Sequence, residues 1–147
     1  MEAFIPYRTP DPLPGTRLLS LQAGSSLQIV EQIERGLAPG SVERLAKHLD
    51  MSLTGLLELT GLNSSTFFET KKRRRRLSPE ASGRVYRLAK VVEAAEAYFG
   101  DEEAARRWLS HPKVALGGKE PFAFARSAEG ADYVVKLLGR MAHGVVS

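Results

Sequence analysis

The segment from Leu77 to Gly100 most constrains the fold of this 147-residue chain. It opens with the letters LSPE, in which serine is a preferred helix cap, proline suits the first helical position and glutamate adds negative charge to the first turn. Apolar side chains then recur every three or four residues up to Gly100, a typical helix end. The pattern predicts one long amphipathic helix, which must bury its apolar stripe against other elements.

Shorter helix signals flank this segment on both sides. Capping residues and prolines place the predicted helix starts near Ser26, Pro39, Asp50 or Ser52, Asn63 or Ser64, Asp101, Pro121 and Ser127. No stretch alternates apolar and polar residues as a half-buried strand does. The sequence therefore predicts an all-α fold.

The chain divides into three predicted regions. Residues 1–24 hold four of the eight prolines, which favours an irregular N-terminal arm whose leucines could pack on the body. Residues 25–77 contain the predicted short helices, and residues 78–147 form a second helical unit that begins with the long helix. We expect the division between the two helical units at residues 77 and 78.

A run of six cations, Lys71 to Arg76, dominates the charge distribution. Residues 63–90 hold nine basic and two acidic side chains, whereas residues 1–62 and 91–147 carry net charges of −2 and −1. Like charge at this density costs stability unless something acidic offsets it. A surface that contacts phosphate groups is the simplest interpretation.

The basic run follows two short helices with the lengths of a helix-turn-helix, joined by a turn that contains glycine. In that motif the start of the second helix contacts base edges, and here that start carries hydroxyl groups. The predicted DNA-binding residues are Ser64, Ser65, Thr66, Thr70, Lys71, Lys72, Arg73, Arg74, Arg75 and Arg76. We expect Phe67 to face the core. A helical hairpin with a solvated basic end is the alternative interpretation.

Residues suited to catalysis are not grouped in the sequence. His48, His111 and His143 stand alone, there is no cysteine, and the spacings of zinc and nucleophile motifs are missing. A chain without cysteine, signal peptide or long apolar span suits the cytoplasm. We expect a binding protein without metal or cofactor. A small helical enzyme stays possible, because residues far apart in sequence can meet in the fold.

The last forty residues carry several large aromatic side chains, which include Trp108, Phe122, Phe124 and Tyr133. The core of a small helical unit accounts for most of them. A face that binds a partner is the alternative, because three short helices have little interior in which to hide them all.

The chain also resembles a known family. The letters LSPE, RVYRLAKVVEAAEAYFG, AARRWL, HPKVALGGKEPF and EGADYVVKLLGRMAHGVV are similar to antitoxins of the Xre/MbcA/ParS-like group. The resemblance covers roughly Val42 to Ser147. It implies an Xre-like helix-turn-helix bundle, followed by a small C-terminal helical domain that binds a toxin. Ser65 stands where this family often carries arginine.

The resemblance also implies a function. Members of this family dimerise, repress their own operon by binding operator DNA, and neutralise a cognate RES-domain or ParT-like toxin. RES toxins degrade NAD⁺ and related toxins transfer ADP-ribose, so the antitoxin is expected to cover the NAD-binding active site. The implied toxin-binding residues are Trp108, Leu116, Gly117, Gly118, Tyr133, Lys136, Leu137, Arg140, Met141, Gly144, Val145 and Val146. The alternative is a stand-alone helix-turn-helix transcriptional regulator without a toxin partner.

Overall fold

A computed structural model describes residues 15–144 of the chain. Within that range the all-α prediction is confirmed, because eight α-helices and one short 3-10 helix, Val114–Leu116, are present without a strand. The helices are α1 (Ser26–Arg35), α2 (Pro39–His48), α3 (Leu53–Thr60), α4 (Ser64–Lys72), α5 (Pro79–Phe99), α6 (Glu102–Leu109), α7 (Pro121–Phe124) and α8 (Ala128–Ala142). None of the helices between residues 15 and 144 has the length and apolar character to cross a membrane.

Local capping explains where most of these helices begin. A side-chain oxygen of the capping residue accepts a hydrogen bond from the backbone N–H three residues further on, which satisfies a group that the first turn would leave unpaired. The residues that cap in this way are Ser25, Ser52, Asn63, Ser78, Asp101 and Ser127. All but Ser25 are among the predicted capping residues.

Helix α5 is the central element of the fold. Its 21 residues span about 31 Å at 1.5 Å per residue. It contacts α1 and α3, which belong to the N-terminal half of the chain, and α6 and α8, which belong to the C-terminal half. Val85, Leu88 and Val92 are buried on it, as the apolar spacing predicts. The two halves therefore share one core.

The first described residues pack along α5. Leu19 is buried, and Arg17 forms ion pairs with Glu93 and Glu96 of α5, the latter at 3.3 Å between Nη2 and Oε2. The part of the predicted irregular arm that follows residue 14 thus joins the folded body, and residues 1–14 lie outside the described range.

Helix α1 buries a different residue from those that its apolar spacing suggests. Leu27, Val30 and Ile33 recur at helical spacing, yet Leu27 is 68% exposed and Val30 is 48% exposed. Ile29 is buried instead. Because α5 is the main packing partner of α1, only one narrow side of α1 is covered.

The turn between α1 and α2 requires a glycine and is fastened to the start of α5. Gly36 has a φ of 96°, and a Cβ there would lie 2.1 Å from the carbonyl oxygen of Leu77. The Leu37 N–H donates to the buried Ser82 Oγ at 2.8 Å. The Leu77 N–H in turn donates to the Leu37 carbonyl at 2.8 Å. These contacts fix the end of the basic run beside the α1–α2 turn.

Candidate functional site

Helix α4 is held in place by its cap and by one aromatic side chain. Asn63 Oδ1 accepts a hydrogen bond from the Thr66 N–H at 2.9 Å, and Gly61 ends α3 with a φ of 73°. Phe67 is 2% exposed whereas Phe68 is 47% exposed, so Phe67 faces the core as predicted. Its burial determines which side of α4 faces solvent.

Five of the ten predicted DNA-binding residues lie along the solvent side of α4 and its C-terminal end. A shallow groove on this side is lined by Ser65, Thr66, Glu69, Thr70, Arg73 and Arg75. Glu69 is the one lining residue that the sequence interpretation missed, and its carboxylate accepts from Arg73 Nε at 2.5 Å. Ser64 lies beside this groove at the first position of the helix and is partly buried.

The helix ends inside the basic run. Lys72 is the last residue of α4, and Arg74 has a φ of 55°, in the left-handed region. The N–H groups of Arg74 and Arg75 donate to the carbonyls of Lys71 and Thr70, which closes the helix end. The six cations are all exposed and project in several directions, instead of lining one helical face.

Neighbouring groups partly offset this charge. Lys71 Nζ pairs with Glu43 of α2 at 2.5 Å, Arg73 pairs with Glu69, and Arg76 donates to the Gly36 carbonyl at 3.1 Å. Within residues 15–144, the cations Lys72, Arg74 and Arg75 form no ion pair with a carboxylate. They remain available for phosphate groups of a ligand.

The second predicted surface lies on α8. Tyr133 is 40% exposed; its ring meets Phe124 edge-on at a centroid distance of 5.5 Å. The Arg140 guanidinium lies 5.5 Å from the Tyr133 centroid, a distance at which a cation is attracted to the ring. Val134 and Leu138 on the buried side of α8 pack into the core. The helix thus presents an aromatic and cationic stripe to solvent.

Three further predicted residues complete this stripe. Lys136 is exposed and pairs with Asp132 one turn earlier, at 2.8 Å. Leu137 and Met141 are partly buried. Gly144 is the last described residue, and the predicted contact residues Val145 and Val146 lie outside the described range.

The loop with the letters LGG is closed on itself. The Lys113 N–H donates to the Lys119 carbonyl at 3.1 Å, and the Gly118 N–H donates to the Lys113 carbonyl at 2.9 Å. Leu116 is 2% exposed, so its side chain anchors the loop in the core, and its contact with a toxin stays a prediction. Gly117 and Gly118 stay exposed at the turn. Val114, which was not predicted, is 97% exposed.

Trp108 offers only part of its surface to a partner. Its ring packs beside Phe99 at a centroid distance of 6.0 Å, and the Lys113 ammonium lies 5.4 Å from its centroid. The residue is partly buried against the core. Its contact with Phe99 joins α6 to α5.

A group of titratable side chains connects the two halves, and the sequence interpretation missed it. His48 Nε2 lies 2.5 Å from Glu96 Oε1, and one ligand atom of Glu102 lies within 4.8 Å of both groups. Arg17 pairs with Glu96, and Arg106 donates to the His48 carbonyl at 3.2 Å. Two guanidinium groups this close disfavour a bound cation. The group therefore acts as a polar link between α2, α5 and α6.

Comparisons with known proteins agree with this layout. Residues 28–90 match the family model for the antitoxin Xre-like helix-turn-helix domain. Residues 94–144 match that for the antitoxin Xre/MbcA/ParS C-terminal toxin-binding domain. The fold and its two surfaces thus define a helix-turn-helix protein with a toxin-binding domain, and the two matched segments meet within α5.

Whole-chain relatives identify the family. Antitoxin Xre of Yersinia enterocolitica is 30% identical over 143 residues, which cover 94% of this chain and 97% of the relative. Antitoxin Xre of Photorhabdus laumondii is 23% identical over the full length of both chains. The Prs ADP-ribosylating antitoxin of a Sphingobium species is 26% identical and covers 85% of this chain and 84% of the relative. The chain belongs to the Xre/MbcA/ParS-like antitoxin family.

Proposed function

We propose that this antitoxin blocks the NAD-binding active site of a cognate RES-type toxin, and that it represses its own operon by binding operator DNA. It acts as a homodimer in the cytoplasm. The observation that carries the first part is the solvent-exposed stripe of α8, which runs toward the end of the chain. The observation that carries the second is the hydroxyl-rich side of α4 with its exposed cations.

The composition of the α8 stripe supports a protein interface. Tyrosine and arginine are among the residues that most often dominate binding energy at interfaces. Here Tyr133 and Arg140 already contact each other before a partner arrives. Side chains that are ordered in advance lose less conformational entropy on binding. The stripe is therefore suited to tight association with a toxin.

A steric mechanism requires no catalytic group on the antitoxin. Occupation of the pocket is enough if the antitoxin excludes NAD⁺, since a ligand pocket buries most of its ligand. The name of the Sphingobium relative refers to ADP-ribosylation, a reaction that also consumes NAD⁺. A pocket for NAD⁺ is common to toxins that degrade it and toxins that transfer ADP-ribose, and the proposal concerns that shared pocket.

The α4 surface supports contact with operator DNA. Ser65, Thr66 and Thr70 present hydroxyl groups that can bond to base edges in the major groove. Lys72, Arg74 and Arg75 can neutralise backbone phosphates beside it. The hydroxyl residues would select the DNA sequence, and the three cations would supply most of the binding affinity.

Co-expression tests the neutralisation of the toxin. The toxin encoded beside the antitoxin gene should lower cellular NAD⁺ and stop growth, and the full-length antitoxin should restore both. An antitoxin that lacks residues 144–147 should restore them less well. The variant Arg107→Gln, an exposed change on α6, is the control and should rescue fully.

Two outcomes would contradict the proposed block of the toxin. If the full-length chain restores growth without restoring NAD⁺, blockage of an NAD-binding site is wrong. If the shortened chain rescues as well as the full-length chain, the C-terminal end has no role in the block.

A further inference from the structure

A cavity beside the α1–α2 turn carries three arginines. Arg35 from the end of α1, Arg44 from α2 and Arg76 from the end of the basic run all line it, together with the buried Ser41. The cavity holds about 240 Å³. Since a water molecule takes about 30 Å³, it can hold a phosphate group and several waters.

The charge in this cavity is unbalanced. Among the described residues that line it there is no aspartate or glutamate. Arg76 donates one hydrogen bond to the Gly36 carbonyl at 3.1 Å, and Arg44 donates one to Ser41 Oγ at 3.3 Å. A guanidinium has five N–H donors, so most of them remain available. Three like charges around one cavity favour the binding of an anion.

The backbone around the cavity is fixed. Gly36 lies directly against the Leu77 carbonyl, and the Leu37 N–H is bonded to the buried Ser82 Oγ. The same turn accepts the hydrogen bond from Arg76. The three arginines therefore project from a backbone frame that is already in place before an anion binds.

The cavity adjoins the proposed DNA-binding surface. Arg76 also lines the groove between α4 and α5, where it joins Thr66, Thr70 and Arg75. One basic side chain thus belongs to both surfaces. A duplex that lies along α4 would bring its backbone toward Arg76, and from there toward Arg35 and Arg44.

We propose that this cavity binds one backbone phosphate of the operator DNA, at a point beyond the recognition contacts of α4. Arg35, Arg44 and Arg76 donate hydrogen bonds to its oxygens. Such a contact sets the position of the protein on the duplex and carries no sequence information. The inference rests on the proposed binding of operator DNA, and it extends that surface to residues on α1 and α2.

The double variant Arg35→Gln with Arg44→Gln tests this site. Its affinity for the promoter fragment at low salt should fall about tenfold, and the slope of log affinity against log salt concentration should fall by about 1. Affinity for an unrelated duplex should fall by the same factor. The matched control is Arg107→Gln with Lys119→Gln, which removes the same charge from exposed positions in the C-terminal half and should bind like the wild type.

Each result decides between named possibilities. If the double variant keeps the affinity and salt slope of the control, the phosphate site is wrong while operator binding stands. A wild-type chain that binds no duplex at low salt overturns both. Titration of the wild type and the double variant with inorganic phosphate tests whether the cavity binds a small phosphate ligand instead. Saturable binding that needs Arg35 and Arg44, together with unchanged DNA affinity of the double variant, would assign the cavity to a small phosphate ligand and overturn the DNA contact.

Discussion

The two binding surfaces of this antitoxin are built in opposite ways. The solvent side of α4 carries small hydroxyl side chains, and the six cations span the last turn of this helix and the segment after it. On α8 a tyrosine and an arginine contact each other on a helix whose other side is buried. We expect the first surface to act through charge, which salt screens. We expect the second to act through packed, desolvated contact. Changes that separate the two should therefore affect one activity at a time.

The largest expected effect comes from Gly130→Ala. A Cβ at this position would lie 1.7 Å from the Phe124 carbonyl oxygen, so α7 and α8 must move apart. Overpacking of this kind costs about 3 kcal/mol. Toxin binding, measured by calorimetry, should be lost, and promoter binding should stay within about twofold of the wild type, because α4 packs mainly against α2.

A second glycine on the same helix provides the control. A Cβ at Gly139 would meet nothing within 4 Å, so Gly139→Ala should leave toxin binding intact and stabilise α8 by up to about 1 kcal/mol. If Gly130→Ala weakens DNA binding as much as toxin binding, the two surfaces are not separable, and the comparison fails.

The next largest effect comes from Arg74→Gln with Arg75→Gln. Unlike Arg73, which pairs with Glu69, these two cations are proposed to contact backbone phosphates. Their removal should lower the salt slope of promoter binding by about 2, because each contact releases roughly one counterion. Toxin affinity should not change. Fluorescence anisotropy with a labelled promoter, at several salt concentrations, measures both the affinity and the slope. An unchanged slope would mean that these arginines do not contact the DNA backbone.

The smallest effect concerns Tyr86 on α5, the helix beneath both surfaces. Burial, and then the nearby Glu93 carboxylate, raise the pKa of this phenol above its ordinary value of 10.0. Below that value both folded and unfolded chains keep the proton, and above it the unfolded chain loses the proton first. Folding stability therefore declines as pH rises toward the folded-state pKa. Tyr86→Phe removes this dependence.

Urea unfolding of both proteins near pH 9 and near pH 11 checks this prediction. The wild type should lose slightly more unfolding free energy than Tyr86→Phe over that interval. Because the ring is partly exposed, the difference should be the smallest of the three. Equal losses in the two proteins would contradict the assigned environment of Tyr86.

Helix order was predictable because helix caps act locally. Ser52, Asn63 and Ser78 each bond to a backbone N–H only three residues away, so the sequence alone contains that information. The basic run and the burial of Phe67 followed from the same short-range patterns. These local signals are enough to place α4 and to bury Phe67.

Contacts between distant residues were not predictable in this way. His48 and Glu96 meet across 48 positions, and Arg35, Arg44 and Arg76 come from three separate elements. The burial of Leu116 was not predicted, because a hydrogen-bonded loop turns its side chain inward. Neither residue type nor spacing shows the direction in which such a loop points.

The central position of α5 also determines how the antitoxin unfolds. Its apolar side chains complete the core beneath α1 and α3 and also beneath α6 and α8. If α5 unfolds, neither half of the described fold keeps its core. Unfolding should be a single cooperative transition. If the chain blocks a toxin and represses its operon as proposed, its degradation would release the toxin and restore operon transcription at the same moment.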